Sequence, residues 1–225
     1  AIQIMLDPAD CGPACISMSQ DVQGEIFEYP EEFFQERVHN IRRPKPDDYQ
    51  IKQAVEKIKS SKNPIIISGG GVFYSDAMED VGNFAVKHNI PVTQTVMGYS
   101  TMKKDHSHFL GPIGGLGGKA ANSLAKKTDL AIAVGTKLGD FTTGSWPNFE
   151  NPNFSLVSIN VARFDASKHL AQSVIGDAKV TLNELSQALG SWKASDDWYK
   201  KSRDELKSWN EYVDKESGPT NQKLP

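Results

Sequence analysis

The chain has 225 residues, 38% hydrophobic and 24% charged, with a net charge of −3. That balance suits a globular fold with a real core and gives no global attraction to nucleic acid or to an anionic membrane surface. No apolar run approaches the ~20 residues of a spanning helix, and no basic stretch with an apolar core opens the chain as a secretory leader would.

The first residues read "AIQIMLDPADCGPACISMS", starting on Ala rather than Met, and suggest a piece of a longer polypeptide. Cys11 and Cys15 are spaced C-x-x-x-C, which is neither a redox pair nor half of a zinc site, so reduced thiols in a cytoplasmic protein are expected. Ala14 to Met18, after Gly12-Pro13, reads as a short strand. Residues 23–48 read as a connection, and "RRPKPDD" as a domain boundary. Asp47 or Asp48 can cap a helix through about Ser61, with Ile51, Ala54, Val55 and Ile58 on one face.

Pro64 to Ser68 is an apolar run without polar alternation, so it reads as a strand buried on both faces. Three glycines follow, in "PIIISGGGVF". A helix opened by Ser75 or Asp76 should turn Met78, Val81, Ala85 and His88 inward. Val92 to Val96 is a second strand, followed by a long glycine-rich loop to Gly118. Lys119 to Lys127 is a helix, Leu130 to Val134 a third buried strand, and "GDFTTGSWPNFENPN" another long loop. "FSLVSINV" is a fourth strand and Val174-Ile175 a short fifth. Asp177 caps a helix lined by Leu182, Leu185 and Leu189. Ser195 to Lys215 is an amphipathic helix with Trp198, Leu206, Trp209 and Val213 on one face, and "ESGPTNQKLP" reads as a second linker. Strands alternating with helices make a parallel sheet covered on both faces, with a ligand crevice at the carboxyl ends of its strands.

The glycine turn offers Gly69 and Gly71 for the first two glycines of a dinucleotide fingerprint, but Tyr74 stands where the third belongs. Amides at a helix start would still suit an anion. The cluster from Gly111 to Gly118 lacks the Lys-Ser/Thr ending of a P-loop, and is either a close-approach site or a compact turn. His106 and His108 could share one face, but no third metal ligand shows at a recognisable spacing. Asp140 stands at a strand-end loop. No nucleophile elbow and no zinc-protease helix motif is present. The lysine pairs, such as Lys103-Lys104, read as solvated surface.

Read together, "NPIIISGGGV", "HNIPVTQTVMGYSTMKKDHSHFLGPIGGLGG", "KTDLAIAVGTKLGDFTTG", "LVSINV" and "VIGDAKVTLNEL" resemble the central domain of thiamine-diphosphate enzymes of the acetolactate-synthase-like group. "GPACISMSQDVQGE" resembles the last strand of the preceding pyrimidine-binding domain. The resemblance runs from about Gly12 to Leu189. "DPADCGPACISMSQDVQGEIFEYPEEFF" and "GDFTTGSW" are most similar to members that open a cyclic diketone by hydrolysing a carbon–carbon bond in inositol catabolism.

The resemblance implies a doubly wound, mainly parallel Rossmann-like α/β sheet, with an N-terminal strand and linker and a C-terminal amphipathic helix. Residues 1–46 would end the pyrimidine-binding domain, 47–192 would be the central domain, and 193–225 would lead towards an absent pyrophosphate-binding domain. For the intact enzyme it implies thiamine diphosphate and Mg²⁺ in a dimer or tetramer. The family's metal-holding Gly-Asp-Gly motif is missing here, and its catalytic glutamate lies upstream of this sequence. This chain is therefore expected to be inactive alone, with no catalytic residue and no cofactor of its own.

Some relatives hold FAD or ADP in the central domain. The corresponding candidate crevice is Gly69, Gly70, Gly71, Val72, Gly114, Gly117, Lys137 and Asn160. Asn160 replaces the aspartate often found in nucleotide binders, and Lys137 replaces an arginine whose planar fork a lysine cannot reproduce. A separate ADP-, FAD- or NAD-binding module, or an acetolactate-synthase or decarboxylase relative, are the competing readings.

Overall fold

A computed structural model describes residues 1–218. The chain divides into two units, one running to Arg43 and one starting at Pro44.

The first unit holds helix α1 (Ile2–Met5) and two single turns of 3₁₀ helix, Val22–Gly24 and Glu31–Phe34. It buries no residue. The strand expected at Ala14 to Met18 does not form; Ile16 and Met18 are exposed. A strand needs a neighbour to take its backbone hydrogen bonds, and the residues of this unit supply none. Cys11 and Cys15 are both free.

The second unit opens with α2 (Asp48–Ser60), capped by Asp47, whose carboxylate accepts the amide of Tyr49 at 2.8 Å. Then follow β1 (Pro64–Ser68), α3 (Gly70–Tyr74), α4 (Met78–His88), β2 (Val92–Gln94), β3 (Phe109–Pro112), α5 (Lys119–Lys127), β4 (Leu130–Val134), α6 (Asp140–Thr143), β5 (Ser155–Asn160), α7 (Arg163–Ala166), β6 (Gln172–Ile175), α8 (Ala178–Leu189) and α9 (Asp196–Glu216). All six strands pair in parallel, in the order β3-β2-β1-β4-β5-β6. The fold is a doubly wound α/β sheet, as expected.

Alternation along each strand fills two cores. Ile66, Ile132, Val157 and Val174 face α2, α4 and α8, whose Ile58, Phe84 and Leu182 close that side. Ile65, Ile67, Ala131 and Ala133 face α5 and α9. On this second side alanines of β4 meet Ala121 and Ala125 of α5. Small side chains on both surfaces let the helix lie close to the sheet.

Three elements depart from expectation. β3 lies inside the stretch read as loop; its four residues end in Gly-Pro and pair at the sheet edge through an irregular register. A short edge strand with those residues carries no propensity signal. The glycines run directly into α3, and α4 starts at Met78 instead of at Ser75 or Asp76. Asp76 is left-handed, at φ 52°, and separates the two helices. Helix α9 packs on α5 and β3 of its own unit, with Trp198 buried and Leu206 in the second core. Tyr212 and Val213 further along stay exposed. Most of the expected C-terminal linker lies outside the described residues.

Candidate functional site at the carboxyl ends of the strands

The sheet changes direction of growth between β1 and β4, its two central strands. Connections leave this point to opposite sides, and in open α/β sheets such a split opens a crevice for ligands. Six of the eight candidate residues, Gly69, Gly70, Gly71, Val72, Lys137 and Asn160, follow or end β1, β4 and β5 around it.

The crevice is closed by backbone. The amide of Gly69 donates to the carbonyl of Val134 at 2.9 Å, and the amide of Gly71 donates to the carbonyl of Gly135 at 2.9 Å. Two of the three glycine amides that could face an anion are therefore spent on β4. A Cβ on Gly69 would stand 2.4 Å from the Gly135 oxygen, and one on Gly71 2.7 Å from the Gly135 Cα. Gly135 itself sits at φ +59°, where only glycine is unstrained. The connection after β2 presses in from the other side. A Cβ on Gly98 would meet the Ser68 oxygen at 2.3 Å. There the Ser68 hydroxyl donates to Thr101 Oγ1 at 2.8 Å, and that hydroxyl donates to the Gly98 carbonyl at 2.6 Å. Three connections thus cross at backbone contact. Val72 is buried beneath them.

Asn160 ends β5. Its Nδ2 donates to the Thr136 carbonyl at 3.3 Å, and its Oδ1 accepts the Ala162 amide at 3.0 Å. The side chain ties two strand ends together. Lys137 is exposed and lies 3.9 Å from Asp165, which Lys168 also engages at 2.6 Å. Gly114 and Gly117 stand apart from this group, in the connection after β3. Gly114, at φ +102°, is clamped by Asn122, which accepts its amide and donates to its carbonyl, both at 2.9 Å. The Gly117 amide donates to Gly114. The cluster is a compact turn whose Gly115 amide also donates to the Phe141 carbonyl at 2.7 Å. Asp140 begins α6 and is exposed.

The organisers missing from sequence reasoning are Gly98, Gly135, Thr101 and Asn122. Gly98, Gly135 and Thr101 act on residues more than twenty positions away, and Asn122 on a glycine eight residues back, so no local motif marks them. Two cavities of about 90 and 170 Å³ lie between α4 and α8 and at the start of α4. Both are smaller than the roughly 300 Å³ at which ligand pockets begin.

His88 and His108 serve packing. The His108 ring is buried, lies 4.5 Å centre to centre from Tyr199, and has Nδ1 2.9 Å from the Ser107 hydroxyl. Burial, aided by neighbouring His106 and Arg203, pushes its pKa down to about 4. His88 Nδ1 lies 2.7 Å from the Trp192 carbonyl, which can only accept, so this nitrogen carries the proton. Among the described residues no group of three or more His, Cys, Asp or Glu could hold a metal ion, and no helix is long and apolar enough to cross a membrane.

The family model described as thiamine pyrophosphate enzyme, central domain, matches residues 51–185. The chain is 43% identical over 211 residues to a 3D-(3,5/4)-trihydroxycyclohexane-1,2-dione hydrolase of Clostridium perfringens (strain 13 / Type A), covering 94% of this chain and 33% of that protein. A protein of the same name from Clostridium tetani is 42% identical over 228 residues, covering 97% and 35%. The chain thus spans about a third of the length of the curated relatives it matches. An X-ray structure from Mycobacterium smegmatis, described as thiamin diphosphate-dependent, superposes with a TM-score of 0.58 at 21% identity, over 69% of this chain and 30% of that one. At that identity it supports the fold alone.

Proposed function

The chain belongs to the family of thiamine pyrophosphate enzyme central domains, and on that premise we propose that it is the organising middle domain of a longer thiamine-diphosphate-dependent hydrolase. The substrate is 3D-(3,5/4)-trihydroxycyclohexane-1,2-dione, whose ring opens by hydrolysis of a carbon–carbon bond. The observation that carries this reading is identity above 40% to relatives of that name along nearly the whole chain.

The residues described here do not fit the cofactor. A diphosphate with Mg²⁺ needs clustered oxygen ligands. No such cluster is present among the described residues, and the glycine turn has already committed two amides to β4. No step of the reaction is therefore assigned to this chain. Its task in this reading is spatial. Residues 1–46 continue from a pyrimidine-binding domain, and residues 193–225 lead to a pyrophosphate-binding domain. Those two domains hold thiamine diphosphate and Mg²⁺ in a cytoplasmic homodimer or homotetramer. Nucleic acid and membrane have no part in it.

The test compares the full-length polypeptide with this 225-residue chain, following loss of the diketone with thiamine diphosphate and Mg²⁺ present. Turnover by the long chain and none by the short one is expected. Ring opening by the short chain alone would overturn the proposal.

A further inference from the structure

Large apolar side chains exposed on the second unit are not scattered. Tyr74 stands after β1, Met97 after β2, Leu116 after β3, Phe141 after β4 and Phe164 after β5; each is more than half exposed. Every connection leaving the carboxyl end of β1 to β5 thus presents at least one. The segments that enter strands offer less of the kind; Val86, late in α4, and Leu170, two residues before β6, are the examples. Single exposed apolar residues are ordinary on a protein surface, but their segregation to one edge marks a contact surface. Aromatic residues and methionine are also the types enriched in such contacts.

The same edge carries conformational strain. Five of the eight non-glycine residues with positive φ (Asp76, Ser100, Leu138, Ser145 and Trp146) lie in the parts of connections that leave strands, while Asn89, His169 and Leu170 stand within three residues of the strand that follows. The chain holds these loops in shapes that its own residues disfavour.

We infer that this edge is an interdomain docking surface, occupied by the part of the full-length polypeptide that lies outside this chain. The inference rests on the proposed function above. Three observations choose the occupant. About two thirds of the relatives' length has no counterpart here. The sheet has both faces covered by its own helices, so a further domain meets it at an edge and not on a face. The switch-point crevice is closed by the glycine crossing, which leaves a broad apolar rim suited to a protein surface and not to a small ligand.

The test is thiol labelling of the full-length polypeptide carrying single Tyr74→Cys, Met97→Cys or Leu116→Cys substitutions, with Val86→Cys as the control at the other edge. All four sites are exposed here, so folding is not at risk. Maleimide incorporation is read on each peptide by mass spectrometry. In the long polypeptide the three edge sites are expected to react about tenfold or more slowly than Val86→Cys, while in this chain alone all four react alike. Equal rates in the long polypeptide would overturn the inference. So would protection in the short chain that disappears on dilution, since the occupant would then be a second copy. Diketone turnover is measured on the same samples. Protection without turnover would sink the assigned activity and leave the docking surface standing; turnover without protection would do the reverse.

Discussion

Trp198 donates its indole N–H to the Pro64 carbonyl at 2.8 Å, joining the last helix to the first residue of the first strand. The ring is buried among Ile65, Leu124 and Ala131 in the second core. Trp198→Phe keeps most of that packing and strands the carbonyl, at a cost of about 1–3 kcal/mol. Trp198→Ala empties the site and should cost about 3–5 kcal/mol. Urea unfolding of both variants checks the order; a Trp198→Phe protein as stable as the parent would mean that the hydrogen bond contributes nothing.

The glycine crossing makes a sharper demand. Gly69→Ala puts a methyl 2.4 Å from the Gly135 backbone oxygen and 2.5 Å from Thr136 Cβ, neither of which can swing away as a flexible side-chain end could. Overpacking of this kind costs about 1–3 kcal/mol or more. Gly139→Ala meets nothing within 4 Å and should stay within about 0.5 kcal/mol of the parent. The difference in thermal midpoint between the two variants is the readout. A Gly69→Ala protein as stable as the parent would show that the strand ends can part.

Acid should weaken the fold through His108. Its native pKa is lowered from 6.5 to about 4. Between those values the unfolded chain binds a proton that the native ring refuses. Stability from this group is therefore fully present above about pH 6.5, falls as the pH drops towards 4, and is lost below. His88 is shifted the same way, chiefly by burial. His108→Gln should lower stability at neutral pH, because the ring contact with Tyr199 is lost, and should flatten the slope across the window. Superimposable slopes in urea titrations from pH 4 to 7 would remove His108 as the source.

Nucleotides should not stabilise the chain. A Kd near 10 µM for ADP, FAD or NAD would add about 2.7 kcal/mol at ~1 mM ligand, which is a shift of several degrees. With the Gly69 and Gly71 amides committed and Asn160 bridging Thr136 and Ala162, a shift below about 1 °C is expected. A clear rise in midpoint would reopen the crevice as a site.

Much of this architecture was readable because its signals are local. Asp47, Asp177 and Ser195 cap helices whose apolar spacing is plain, and β1 and β4 are short apolar runs buried on both faces. β3 was not readable, because four residues ending in Gly-Pro take their place from the edge of β2 and not from their own propensity. The segment around Ile16 misled for the converse reason: an apolar run reads as a strand whether or not a neighbour exists to pair with it. At the site, Gly69 and Gly71 announced a tight turn. What the turn is tight against is Gly135, more than sixty residues away, and that relation has no sequence signature. The glycines suggested a phosphate cradle because both uses need a bare Cα.

The strand order carries a consequence for how the protein is made. β1 is the first strand of the unit to leave the ribosome, yet it lies in the middle of the sheet. β2 and β3 can join one side of it early, but its other side waits until β4 has emerged. During that interval a central, largely apolar strand shows an open edge to solvent, the condition under which nascent chains pair with one another. Slow translation between Pro112 and Leu130 would lengthen that exposure, and would make this unit a client for chaperones at one definable point in its synthesis.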